Sequence, residues 1–292
     1  MRALAQSTLA IGSIVGLPVA FQRALVPERD FERMPTPGPN DWLSNHPETG
    51  QTYQQFLDSH PGRPDARRYR LYIQPLGDFC GLDCPSLDQL REFAAAFFML
   101  DVRVMPTLDL DQVDIASRRH PATAGLQLLT TSIFKLLRHS LPADGFALVG
   151  ITMLDLYLSP AWNFVFGQAS IRHRVGVYSF ARYAPRFYGQ RPSADSHQLM
   201  LRRSCKVLAH ETGHMFGIDH CIWYRCLMNG SNHLIEADAR PLHLCPVDLR
   251  KLHWSIGFDV VERYQRLWKF AEQAGFEDEA RWLDQQLGFI TA

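Results

Sequence analysis

Little in this chain of 292 residues points to a charged or repetitive surface, and several function classes fall away at once. Thirty basic side chains balance thirty acidic ones, and only four of the basic residues are lysines. With no net charge there is no broad electrostatic footprint for nucleic acid or for an anionic membrane. Beyond the N-terminus no uncharged apolar stretch approaches the length of a membrane span, which excludes a polytopic membrane protein. There is no internal repeat and no low-complexity tract. Six cysteines are too few for a disulfide scaffold at this length, yet enough for a metal site or scattered buried thiols. At 46% hydrophobic and 21% charged, the remainder is the composition of a globular protein with ample apolar surface for a core.

Residues 3–22 carry no charge, and Leu9–Phe21 is mostly apolar behind the single Arg2. That length suits the hydrophobic region of a signal peptide better than a membrane span. Gly12, Gly16 and Pro18 interrupt the run, however, and Pro18-Val19-Ala20 makes a poor cleavage site. The lack of any acidic residue before Glu28 also admits a transit peptide. A retained, loosely docked N-terminus is the expectation, with three disulfides in a secreted chain the alternative that the even cysteine count leaves open.

Hydrophobic patterning predicts alternating strands and helices. Residues 35–70 are rich in Pro, Gly, Asn and Asp and read as an irregular arm, with a short helical stretch at Gln51–Asp58. Strands are expected at Tyr69–Pro75, Val102–Thr107, Phe146–Leu158, Trp162–Ala169 and Val175–Phe180. Helices are expected from Pro85 to Leu100 with Ser86 as N-cap, at Thr123–Leu141, and at Leu199–Phe216, where Gly217 stops the last of them. Ala184–Gln198 and Gly230–Leu244 read as loops. Three short helices follow at Pro246–Trp254, Asp259–Ala274 and Glu277–Leu287. The order implies an α/β or α+β layer structure with a twisted mixed sheet, flanking helices and a helical C-terminus. The chain then divides into an extension over 1–68, a main domain over 69–257 and a helical segment over 258–292.

The chemistry is concentrated in His210-Glu211-Thr212-Gly213-His214, followed by Gly217 and His220. On a helix His210 and His214 share a face one turn apart, so both imidazoles reach one ion. Glu211 lies about a quarter turn round, off the ligand direction but beside a metal-bound water. Gly217 tolerates the positive φ that swings the chain back and lets His220 become a third ligand. Three nitrogens leave the fourth position of a tetrahedral zinc open for water, as in catalytic sites. The HExxH pattern alone arises by chance in roughly 2% of chains with this histidine content, and Gly217 and His220 lower that more than about a hundredfold. This is the metzincin pattern, and Met228, eight residues past His220 and before the turn dipeptide Asn229-Gly230, sits where such a site requires its methionine turn.

Cys221 follows His220 directly, Cys226 comes after four further residues, and Cys245 after another 18. Cysteines so close behind a zinc helix look like a second, structural metal site. With that spacing the chain resembles the archaemetzincin family, its animal type in particular. The likeness runs over about residues 70–257 and includes Val149–Leu158, Trp162–Ser170, Ser179–Tyr183, Leu201–Lys206 and Asn229–Leu244. The resemblance implies a metzincin peptidase fold with two zinc ions, one catalytic on the three histidines and one structural on four cysteines. It also makes Trp162–Ala169 the edge strand over the cleft, to which an extended peptide could pair.

The family pattern closes on Cys-x-x-Cys, whereas the residue after Cys245-Pro246-Val247 is Asp248. Three arrangements stay open: a site of three cysteines and Asp248, a neighbour such as His243 or His253 as fourth ligand, or no second zinc. Cys80 and Cys84 read as buried thiols or a loop pair, Cys205 as packing for the active helix, and His233 as a structural histidine or a substrate contact. The expected function is a zinc metallopeptidase in which Glu211 is general base for a zinc-activated water. Its partners would be peptide or protein substrates, and thiolates around zinc favour a reducing cytoplasm. An inactive metal-stabilised binding module and a zinc hydrolase of non-peptide amides are the alternatives.

Overall fold

The computed structural model describes residues 9–27, 29–79, 81 and 84–292; Cys80, and with it the Cys80–Cys84 pair, lies outside the described residues. The described α-helices longer than four residues are α1 (Val19–Ala24), α2 (Tyr53–Asp58), α3 (Leu87–Phe98), α4 (Thr130–Ser140), α5 (Ala194–Met215), α6 (Leu234–Ala239), α7 (Pro246–Ile256), α8 (Val260–Gln273) and α9 (Glu277–Thr291), and Trp42–Asn45 forms a single four-residue helical turn. The strands are β1 (Arg70–Leu76), β2 (Asp101–Val104), β3 (Ser117–Arg119), β4 (Leu126–Leu129), β5 (Gly145–Thr152), β6 (Asp155–Tyr157), β7 (Gly167–Ser170) and β8 (Val175–Ser179). The backbone gathers into two units, one of Pro64–Ala95 with Leu100–Met215, the other of the chain up to Arg63 with Ala96–Met99 and Phe216–Ala292.

The first unit holds a five-stranded sheet in the order β2-β1-β5-β8-β7. β1 runs parallel to β2 and β5, β5 is parallel to β8, and β7 closes the edge antiparallel to β8. Parallel strands covered on both faces are apolar throughout, and every residue of β5 and β8 is buried. Helix α5 packs on β7 and β8 at that edge. Ser86 caps α3 as its type suggests, its hydroxyl accepting from Gln89 N at 3.3 Å.

Two strand readings need correction. The apolar run Phe146–Leu158 is two strands, because Leu154 N donates to Thr152 Oγ1 at 3.1 Å and Leu154 O accepts from Ser179 Oγ at 2.6 Å. Beyond this bend β6 leaves the large sheet and pairs with β4 in a smaller one, ordered β3-β4-β6. The expected helix at Thr123–Leu141 accordingly starts only at Thr130, since Leu126–Leu129 is strand β4. The expected strand at Trp162–Ala169 contracts to Gly167–Ser170, preceded by one isolated bridge between Val165 and Leu156.

Buried polar groups join these pieces. Gln127, fully buried on β4, donates to Asp155 Oδ2 and to Asn163 O, both at 2.8 Å. Arg182 grips the two oxygens of Asp155 at 2.8 and 2.7 Å. Truncating one partner of such a pair strands the other charge in the interior. Asp155→Ala is therefore expected to cost about 3 kcal/mol in urea unfolding, and a midpoint equal to the parent's would refute the role given to this pair.

In the second unit α8 and α9 pack together, α1 lies against both, and α2 packs on α7. The caps follow the sequence: Asp259 accepts from Glu262 N at 2.9 Å to start α8, and Thr52 with Gln55 forms a capping box on α2. The chain just before the arm expected to be irregular is docked. Met34 N donates to Trp223 O at 3.2 Å and Arg225 N to Glu32 O at 2.7 Å, around the antiparallel bridge Arg33–Tyr224. The loop expected over Gly230–Leu244 contains the short helix α6. No described helix is long and apolar enough to cross a membrane.

Candidate metal centres

Helix α5 carries His210 and His214 one turn apart, with their Nε2 atoms 3.2 Å from each other. Tetrahedral zinc with Zn–N bonds of about 2.0–2.1 Å spaces two nitrogens about 3.3 Å apart, so the pair already has the separation such an ion needs. Glu211 follows His210 and is half-buried. The helix ends at Met215, and Gly217 takes φ +81° as the reversal requires. A Cβ there would also stand 2.9 Å from Pro61 Cβ. Along this one continuous stretch of chain, the ligand atoms of His210, His214 and His220 lie within 4.8 Å of one another.

The segment that brings His220 back is held by a residue the motif does not contain. Gln51, on the N-terminal arm, donates through Nε2 to Gly217 O at 3.0 Å and accepts from Asp219 N at 3.2 Å through Oε1. One side-chain amide thus satisfies two backbone groups of the turn, as a strand neighbour would. Its partners lie more than 160 residues away in sequence, so no local pattern could have marked it.

Cys221, Cys226, Cys245 and Asp248 form a second group whose ligand atoms also lie within 4.8 Å of one another, all buried. Cys221 Sγ is 3.5 Å from Cys245 Sγ, and Asp248 Oδ2 is 3.2 Å from Cys226 Sγ and 3.5 Å from Cys245 Sγ. Zinc with thiolate and carboxylate ligands spaces sulfurs about 3.8 Å apart and sulfur from oxygen about 3.6 Å, close to what is found. The five described cysteines are free thiols, so the disulfide alternative does not hold for them. Cys245 is the N-cap of α7, Pro246 opens the helix, and Asp248 in its first turn leans back towards the cysteines.

Asn229 ties this loop together. It is buried, accepts from Cys226 N at 2.7 Å, and donates to Cys221 O at 2.8 Å and Tyr224 O at 2.9 Å. By sequence it is marked only as a turn residue after Met228. Met228 itself is buried at 1% exposure, and its carbonyl accepts from Cys221 N at 2.9 Å. Cys205 is fully buried on α5.

Electrostatics in the second group reflect four acidic groups brought together in the interior. Burial pushes the Cys226 and Cys245 thiols well up. At Cys221 hydrogen bonds from those thiols and from the backbone at Tyr224 and Trp223 overcome the burial and hold the group well below its usual value. Burial also raises Asp248 to about 6, against the pull of Lys251. Lys251 Nζ lies 2.8 Å from Asp248 Oδ1, with both side chains essentially inaccessible. A divalent cation is what this donor set fits.

The histidines considered as substitutes for the fourth ligand are engaged elsewhere. His243 Nδ1 pairs with Glu279 Oε1 at 2.9 Å while its ring stacks on Trp282 at 3.5 Å. His253 stacks on Phe21 at 3.9 Å. His233 caps α6, its Nδ1 accepting from Glu236 N at 3.2 Å, which makes it structural.

Residues 129–254 match the family model described as peptidase family M54. Over 270 residues the chain is 39% identical to archaemetzincin-2 of Rattus norvegicus, covering 83% of this chain and 75% of that one. It is 36% identical over 255 residues to archaemetzincin-1 of Mus musculus, covering 78% of this chain and 51% of that protein. The crystal structure of archaemetzincin from Methanopyrus kandleri aligns with a TM-score of 0.48 at 28% identity, over 66% of this chain and 97% of that one.

Proposed function

Because the chain belongs to the archaemetzincin family of zinc metallopeptidases, we propose that His210, His214 and His220 hold its catalytic zinc, and Cys221, Cys226, Cys245 and Asp248 a structural one. The observation that carries the reading is the pair of ligand groups, each with donor spacings that suit a tetrahedral ion and each built from the residue types of its role.

Zinc on three imidazoles, when bound, supplies Lewis acidity towards a water and a scissile carbonyl. Glu211, fixed on α5 beside His210, takes the proton from the attacking water and returns it to the leaving amine. Helix α5 presents Glu211 and two ligands from one rigid element, which keeps base and metal in register. Met228 and Asn229 shape the turn that follows the third histidine, and the cysteine group anchors that turn at both ends. Asp248 would offer the structural ion the oxygen that faces Cys226, because Lys251 engages the other.

Digestion of a peptide library by the purified chain tests this reading. Cleavage is expected, should cease on chelation and return with zinc, and metal analysis should give two zinc ions per chain. One zinc per chain would remove the structural site. A chain that holds zinc and leaves every peptide intact would be a metal-stabilised binding module instead.

A further inference from the structure

The third histidine reaches the metal from a loop, where nothing in the helix fixes its ring. His220 Nδ1 lies 2.9 Å from Oε1 of Glu48, a residue of the N-terminal arm. The two side chains are only 19% and 28% exposed. Metal-bound histidines commonly donate their remaining ring N–H to a carboxylate, which selects the tautomer and the ring orientation. A proton on Nδ1 donated to this carboxylate would leave the Nε2 lone pair for an ion.

Glu48 is itself held. Trp42 Nε1 donates to the same Oε1 at 2.8 Å, and the indole meets the His220 ring edge-on at 5.1 Å. Trp42 can lie there because residue 230 is glycine: a Cβ would come within 2.4 Å of Trp42 Cδ1. Its own backbone N–H donates to Glu236 Oε1 at 2.9 Å. Glu236 belongs with Asp41 and His233 to a third group of potential metal ligands. That group is saturated from within. Asp41 accepts from His233 Nε2 at 3.1 Å and from Gly38 N at 2.7 Å, and the other Glu236 oxygen accepts from Asn232 N at 2.7 Å. It is a clip that seats Trp42 and not a site for an ion.

We propose that Glu48 is a positioning residue of the catalytic centre, which orients His220 for zinc from the N-terminal arm, with Trp42 setting Glu48 in place. The proposal rests on the assignment of His220 as a zinc ligand.

The test uses the full chain, with zinc affinity measured by competition against a chromophoric chelator. Glu48→Ala should bind zinc at the histidine site about 10- to 100-fold more weakly, Glu48→Gln should fall between it and the parent, and the cysteine site should stay filled in all three. Nitrogen NMR should show His220 as the Nδ1–H tautomer in the parent and lose that preference in Glu48→Ala, a change that a merely structural glutamate would not produce. Parent affinity and an unchanged tautomer in Glu48→Ala overturn the proposal while leaving the zinc site intact. A His220→Ala chain that binds zinc as the parent does would overturn the ligand assignment and the proposal together.

Discussion

Glu211→Gln should fold and hold zinc as the parent does and yet lose nearly all turnover. The amide has the shape of the carboxylate and is not among the three imidazoles, so neither the metal nor the helix has reason to respond. What disappears is the group proposed to take a proton from the attacking water. General base catalysis contributes about 10²- to 10⁴-fold, and the same side chain also serves as acid towards the leaving amine, so the fall in kcat should reach at least the upper part of that range. Tyr178 on β8 offers no substitute base: its phenol is raised well above the ordinary value chiefly by burial, which Glu211→Gln leaves in place. The measurement is kcat and KM on a peptide chosen from the library, with zinc content and circular dichroism of the same preparation. A drop in kcat with KM little changed is the signature of a group used in the transition state alone. Turnover near the parent rate would take the base assignment away from Glu211.

Each ligand group is drawn from a short span of chain, which is why residue types and spacing alone make both legible. His210 to His220 spans eleven residues, and helical periodicity decides which of them share a face. The structure adds what that stretch depends upon. Gln51 holds the turn at Gly217–Asp219, and Glu48 and Trp42 hold His220, all from a segment whose prolines and glycines read as an irregular arm. Its order comes from contacts with residues 217–236, and tertiary pairing of this kind leaves no periodic trace. The sheet shows the same limit. Alternation and apolar runs locate β1, β5 and β8, but the bend at Met153–Leu154 is made by the hydroxyls of Thr152 and Ser179 in place of glycine or proline. An uninterrupted hydrophobic run therefore hides the passage into a second sheet.

Removing the carboxylate of Asp248 should produce the largest loss of stability in the molecule. Asp248→Ala deletes one of the four proposed ligands of the structural zinc and at the same time leaves Lys251 with an unpaired charge at 1% exposure. Breaking a buried pair in this way costs about 3–5 kcal/mol, and loss of a bound metal adds to it. Two companion variants separate the contributions. Asp248→Cys supplies the softer ligand and should keep two zinc ions per chain, because thiolate suits this ion better than carboxylate. Asp248→Ala combined with Lys251→Met removes the stranded charge and should regain part of the stability without regaining the zinc. Urea unfolding and metal analysis on the four proteins give both readings, and two zinc ions retained by Asp248→Ala would exclude aspartate as the fourth ligand. The effect should also reach the first site. Cys221 directly follows His220, and its backbone N–H holds the carbonyl of Met228, so a loop freed from its metal no longer fixes the third histidine. Weaker zinc binding by His210, His214 and His220 in Asp248→Ala, with Glu48 untouched, is the result that would tie the two centres into one construction.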